Sequence, residues 1–272
     1  MVMDSEPTTR TVPPILFLHG LFGSPSLLTP WTRLLEAEGY AVHAPVLPGR
    51  DPADDAVLAH TGIDECFAVA LDAYDRIGQS AIVIGHSLGG LLAQKIAAAR
   101  NPRAAVLLAP VPPGVSWPRL RSSPHLLPLM SKIVAGKPFL PSAKTMRAVP
   151  LNTLPVVEQE AVIPRLVRDS GRVFRQISMG TAATRVNAAE VTCPVLCVSG
   201  GADQNVPSWV SRRIAKRYGA EHQVHPGKPH WIIAESAIGD VAPPVLDWLR
   251  KSVASAGTSG DDSTPADYSA RR

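Results

Sequence analysis

The stretch IVIGHSLGGLLAQ, residues 82–94, decides how the rest of the chain is organised. It opens with continuous apolar residues, as a strand buried on both faces does, and ends as a helix rich in leucine and alanine. Between the two stands G-x-S-x-G, formed by Gly85, Ser87 and Gly89. As a bare pattern this is weak. Its placement, directly after a strand and directly before a helix, is what makes it informative. Glycines there allow a sharp turn that lifts the serine hydroxyl above the sheet, and Gly90 lets the helix pack close to the strand. That is the geometry a serine needs to act as a nucleophile.

Outward from this point the same rhythm repeats. PILFLHG (14–20), YAVHAPV (40–46), SAIVIGH (80–86), AAVLLAPV (104–111) and PVLCVSGG (194–201) are predicted strands, and EHQVH (221–225) a sixth. Helical periodicity falls in 27–39, 64–78, 88–100 and 207–219, with a last helix near 241–253. Apolar strands separated by helices predict an α/β fold with a mostly parallel central sheet covered on both faces. The rhythm breaks at 114–190, where prolines punctuate short apolar segments, which is far longer than an ordinary connection. The expected organisation is therefore a core of 1–113 and 191–252 carrying an insertion at 114–190. The small, polar residues 253–272 are expected to be disordered.

Composition excludes several classes. A net charge of +4, with no dense basic run interleaved with aromatics, gives no nucleic-acid signature. The three cysteines, Cys66, Cys193 and Cys197, make no disulfide framework and predict a reducing, cytoplasmic setting. Cys193 and Cys197 lack a second pair at zinc spacing, so no metal site is expected. No signal-like segment opens the chain, and no run is apolar enough for a membrane span. Charge is uneven: residues 114–190 carry 11 basic against 4 acidic side chains, whereas 1–113 carry 7 against 11.

Four motifs, LHGLFGS (18–24), GHSLGG (85–90), GGADQNVP (200–207) and GKPHW (227–231), occur in an order that resembles the α/β-hydrolase superfamily. The likeness spans roughly residues 12–250. It implies an α/β-hydrolase fold and a serine hydrolase of the esterase or lipase kind, with no cofactor. Ser87 would be the nucleophile and Asp203 the acid. His230 would be the base in preference to His225, which closes a strand. Backbone N–H groups of Leu21 and Leu88 would form the oxyanion hole, and His19 would brace the loop. The chain departs from the pattern at Pro229, where the family commonly has glycine.

The insertion would be a helical cap over the site. His86, Phe22, Leu126, Met130 and Trp231 are the expected substrate contacts. The substrate would be a moderately hydrophobic ester, thioester or lactone. The basic excess in 114–190 suggests a coenzyme A or acidic carrier-protein thioester, or else a solvated surface. Two alternatives use the same fold: non-hydrolytic carbonyl chemistry of a lyase or cyclase, and a receptor-like binder. The oligomeric state is left open by the sequence.

Overall fold

The computed structural model describes residues 12–78, 80–116 and 123–255. Six strands form one sheet: β1 (Ile15–Leu18), β2 (Val42–His43), β3 (Ile82–His86), β4 (Ala104–Leu108), β5 (Val195–Gly200) and β6 (Glu221–His225). Their order is β2-β1-β3-β4-β5-β6 and every neighbouring pair is parallel. The helices of the first half are α1 (Thr29–Ala37), α2 (Asp55–His60), α3 (Ile63–Ile77) and α4 (Leu88–Arg100). Between β4 and β5 run α5 (Ser123–Leu126), α6 (Met130–Val134), α7 (Ala143–Ala148), α8 (Val156–Val162) and α9 (Gly171–Met179). The chain closes with α10 (Ser208–Tyr218) and α11 (Glu235–Ser255). Of the C-terminal residues expected to be disordered, Val253–Ser255 end α11 and the rest lie outside the described residues.

Side chains alternate across a strand, so each strand supplies both layers. Ile15, Phe17, Ile84, Val106 and Val198 face α1 (Trp31, Leu35) and α11 (Val241, Val245, Leu249). Leu16, Leu18, Val83, Leu107 and Cys197 face α3 (Ala70, Tyr74), α4 (Leu91, Ile96) and α10 (Ile214). Each such fully buried aliphatic or aromatic side chain contributes about 1.5–3 kcal/mol. Burial on both faces explains why β3, β4 and β5 are predominantly apolar.

Three elements differ from expectation. β2 is only two residues long, because Pro45 lacks the N–H that would continue pairing at the sheet edge. α2 was not anticipated. Its N-cap is Asp54, whose carboxylate accepts from the N–H groups of Ala56 (2.9 Å) and Val57 (3.1 Å). α11 begins at Glu235 and runs through Pro243 and Pro244 rather than starting beside them. Ala237, Val241, Val245 and Leu249, four residues apart and buried, hold that helix against the sheet despite its prolines.

The long connection between β4 and β5 hangs on the loops that follow β1, β5 and β6. Val167 N–H donates to the Phe22 carbonyl (3.0 Å), and Trp231 N–H to the Pro150 carbonyl (3.1 Å). The Asn152 amide donates to the Ala202 carbonyl (3.0 Å), and the Thr153 hydroxyl to the Gly227 carbonyl (2.8 Å).

Candidate active site

The turn after β3 is set by steric necessity. A Cβ on Gly85 would lie 2.1 Å from the Gly89 carbonyl oxygen, and one on Gly89 would lie 2.1 Å from the Leu18 carbonyl oxygen. Only glycine admits that approach. Ser87, between them, sits at φ 55 and ψ −113, a left-handed conformation costing on the order of 1–3 kcal/mol. Its surroundings hold it there. Ser87 N–H donates to the Leu108 carbonyl (3.0 Å), and the Ser87 carbonyl accepts from Gly90 and Val111 N–H (both 3.0 Å).

Two further loops converge on this serine. Past the carboxyl end of β5, Asp203 is fully buried, and its Oδ1 accepts from Asn205 N–H (2.7 Å) and Val206 N–H (2.8 Å). Its Oδ2 accepts from His230 Nδ1 at 2.7 Å. With that proton on Nδ1, His230 Nε2 presents its lone pair to Ser87 Oγ, 2.9 Å away. The three side chains thus form one continuous, buried hydrogen-bonded chain. The loops of Asp203 and His230 also pack backbone to backbone. A Cβ on Gly200 would lie 2.3 Å from the Pro229 carbonyl oxygen, and Ala202 N–H donates to the Lys228 carbonyl (2.9 Å).

His225 does not reach this chain. It closes β6, pairs in register with Gly200, and its carbonyl accepts from Gly201 N–H (2.8 Å). His86 Nε2 donates to the His230 carbonyl at 3.0 Å and so braces the histidine loop. Burial, with His230 beside it, lowers the His86 pKa to about 3, so its ring is neutral. His19 is also buried. Its Nδ1 donates to the Gly20 carbonyl (2.9 Å) and its Nε2 accepts from Leu47 N–H (3.3 Å). Burial and the nearby Arg50 lower its pKa to about 4.

Above Ser87 lies a concave cavity whose space, counting its open mouth, is about 890 Å³. Phe22, Phe139 and Phe174 form a wall of edge-to-face rings, with centroids 5.2 Å and 5.7 Å apart. Leu126, Met146, Val149, Ile177 and Trp231 extend the apolar lining. Ser116, Thr145, Ser178 and Asn205 give it polar points, and no Lys, Arg, Asp or Glu side chain lines it among the described residues. Of the expected contacts, Phe22, His86, Leu126 and Trp231 line the cavity. Met130 does not: it is 37% exposed on α6, outside the lining.

Leu88 is the first residue of α4, so its N–H has no partner four residues back in the helix. Leu21 lines the cavity beside it. The next N–H, that of Phe22, is taken by Asp169 Oδ2 at 2.8 Å. Nothing local to Asp169 marks this in the sequence. It follows no strand, and its partner Arg50 is 119 residues away. Among the described residues, no group of three or more His, Cys, Asp or Glu side chains could hold a metal ion, and no helix is long and apolar enough to cross a membrane.

A six-stranded parallel sheet with a serine at the strand-to-helix turn after β3 is the α/β-hydrolase architecture. The family model described as "Alpha/beta hydrolase family" matches residues 15–243, and the chain belongs to that family. Among curated proteins, the pyrethroid hydrolase of Sphingobium wenxiniae is 29% identical over 138 residues, covering 47% of this chain and 49% of that protein. The match therefore spans about half the length of this relative. Among solved structures, the monoacylglycerol lipase of Paleococcus ferrophilus superposes with a TM-score of 0.68 at 22% identity, covering 88% of this chain and 96% of that one. A methylesterase from Arabidopsis superposes at 0.66 with 16% identity, covering 89% and 99%. At these identities the structural likeness establishes the fold.

Proposed function

We propose that the protein is a serine hydrolase that cleaves an ester of a neutral, moderately hydrophobic small molecule through an acyl-enzyme on Ser87. The observation that carries this is the buried chain from Ser87 Oγ to His230 (2.9 Å) to Asp203 (2.7 Å), opening on an apolar cavity. His230 Nε2 takes the Ser87 proton as Oγ attacks the carbonyl carbon. Asp203 keeps the imidazole in the useful tautomer and stabilises the imidazolium that forms. Leu21 and Leu88 N–H groups bind the oxyanion, and the dipole of α4 adds to their effect. The tetrahedral intermediate collapses, His230 gives its proton to the departing alcohol, and water activated by His230 then releases the acid.

Residues 114–190 act as the cap that shapes the substrate. The lining supports an ester over a coenzyme A or carrier-protein thioester, because among the described residues it offers no cation to a phosphate. The basic side chains of this segment, such as Lys132, Lys137, Lys144 and Arg147, are exposed to solvent. Thioesters and lactones of similar size use the same chemistry and remain within the proposal. The three cysteines are free and buried, which suits a reducing compartment such as the cytoplasm. The curated relative named above is, by its name, a hydrolase of pyrethroids, in keeping with this reading.

A fluorophosphonate probe should label the intact protein and not Ser87→Ala, and p-nitrophenyl ester turnover should vanish with the label. Equal labelling of both proteins, or turnover that survives Ser87→Ala, would remove Ser87 from the mechanism.

A further inference from the structure

Phe22 stands at φ 60, immediately after the proposed oxyanion donor Leu21, and both its backbone polar groups are bound to one short segment of the β4–β5 connection. Its N–H donates to Asp169 Oδ2 (2.8 Å), and its carbonyl accepts from Val167 N–H (3.0 Å). The Asp169 carboxylate is itself held from three sides. Arg50 Nε donates to Oδ2 (3.0 Å), Arg50 Nη2 to Oδ1 (2.7 Å) and Ser170 N–H to Oδ1 (2.7 Å). Neither side chain of the ion pair is exposed. Burial works against the charge on Arg50, but Asp169 and then Cys66 together more than offset it, so the guanidinium pKa is raised above its ordinary value. The Pro48 carbonyl accepts a further bond from Arg50 Nη1 (3.0 Å). The backbone of Asp169 pairs in both directions with Phe139 (2.9 Å each), whose ring packs on Phe22.

A buried ion pair is weak grounds for stability, since well-packed apolar residues of the same volume serve equally well. What an apolar pair could not do is accept the Phe22 N–H. Two successive N–H groups, those of Leu21 and Phe22, lie at the turn beside Ser87, and only one can be the donor the reaction uses. We propose that Asp169 is a positioning residue for the oxyanion turn. By binding Phe22 N–H it fixes the Leu21–Phe22 backbone so that Leu21 N–H faces the reacting carbonyl, and Arg50 holds the carboxylate in place for that task. The inference rests on the hydrolase reading above and extends it: a residue of the inserted connection takes part in setting the transition-state contacts.

Three variants test this on a p-nitrophenyl ester and on an alkyl trifluoromethyl ketone, whose serine adduct carries a true oxyanion. Arg50→Met/Asp169→Leu removes the charges together with the acceptor. Arg50→Met/Asp169→Asn removes the charges and leaves an amide oxygen for Phe22 N–H. Asp169→Glu keeps the charges and displaces the acceptor by a methylene, so it remains informative if the leucine variant fails to fold. The leucine and glutamate variants should lose roughly 10- to 100-fold in kcat, with KM within about threefold, and ketone affinity should fall in step. The asparagine variant should recover most of both. Folded leucine or glutamate variants with native kcat and native ketone affinity would overturn the proposal. So would a loss of kcat that follows melting temperature while ketone affinity stays native. Ester turnover surviving Ser87→Ala would instead defeat the underlying hydrolase reading, so the two failures are distinguishable.

Discussion

At the floor of the cavity, Gly85 and Gly89 bring backbones so close that an added Cβ would stand 2.1 Å from a carbonyl oxygen. At its roof, residues 139–174 meet the core through scattered loop hydrogen bonds, the buried Arg50–Asp169 pair and the contact of the Phe139 ring with Phe22, 5.2 Å between centroids. The floor has no room for another atom, and each of its groups is fixed by rigid backbone. The roof is built from side chains on helices no longer than nine residues, joined to the core through loops. Chemistry that must be held to fractions of an ångström belongs on the first kind of surface. Discrimination between substrates, which needs only shape and apolar area, belongs on the second.

The sharpest way to break that comparison is at the two histidines. His230→Ala should lower kcat roughly ten-thousand-fold, and His225→Ala by no more than about threefold, on any ester the protein accepts. The reverse order would place the base on β6 and remove the floor from the chemistry. Steady-state turnover of p-nitrophenyl butyrate decides it.

A matched pair of substitutions comes next in size. Gly89→Ala at the floor forces a methyl against the Leu18 carbonyl and should cost more than about 4 kcal/mol, or prevent folding. Phe139→Ala at the roof opens space between Phe22 and Phe174 and should cost about 3 kcal/mol. The roof variant should still label with fluorophosphonate and should shift its preference toward bulkier acyl chains. A chain-length profile unchanged by Phe139→Ala would show that this wall does not select substrate.

The same contrast explains what could be read from the sequence. The inner strands were legible because burial on both faces makes them predominantly apolar. Ser87 was legible because its glycines are demanded by close approach within a few residues, and Asp203 and His230 because each follows a strand end. The roof was not. Its helices of four to nine residues are too short for a period to declare itself, and Met130 points outward where its apolar character suggested the cavity. Asp169 could not be singled out, because its value lies in Arg50 and Phe22, residues 119 and 147 positions away that only folding brings together. Glycines leave a local signature, while a hydrogen bond across the fold leaves none.

The smallest effect separates floor from roof by pH. His19 and His86 belong to the floor and are buried neutral, with pKa values lowered by burial to about 4 and about 3 from an ordinary value of 6.5. Between those values the unfolded chain binds protons that the folded chain refuses, so stability rises with pH across that window. It is fully present above 6.5 and is lost as pH falls toward 4 and then 3. Each histidine should contribute a slope of roughly 1 kcal/mol per pH unit. Urea denaturation at a series of pH values below neutrality reads this directly. His86→Gln, whose amide can still donate to the His230 carbonyl, should remove roughly 1 kcal/mol per pH unit of that slope. Phe139→Ala should lower the whole curve in parallel and leave the slope unchanged, because the aromatic wall titrates nothing. A slope untouched by His86→Gln would mean that the ring is protonated in the folded protein. The brace on the histidine loop would then be a charged group rather than the neutral one described above.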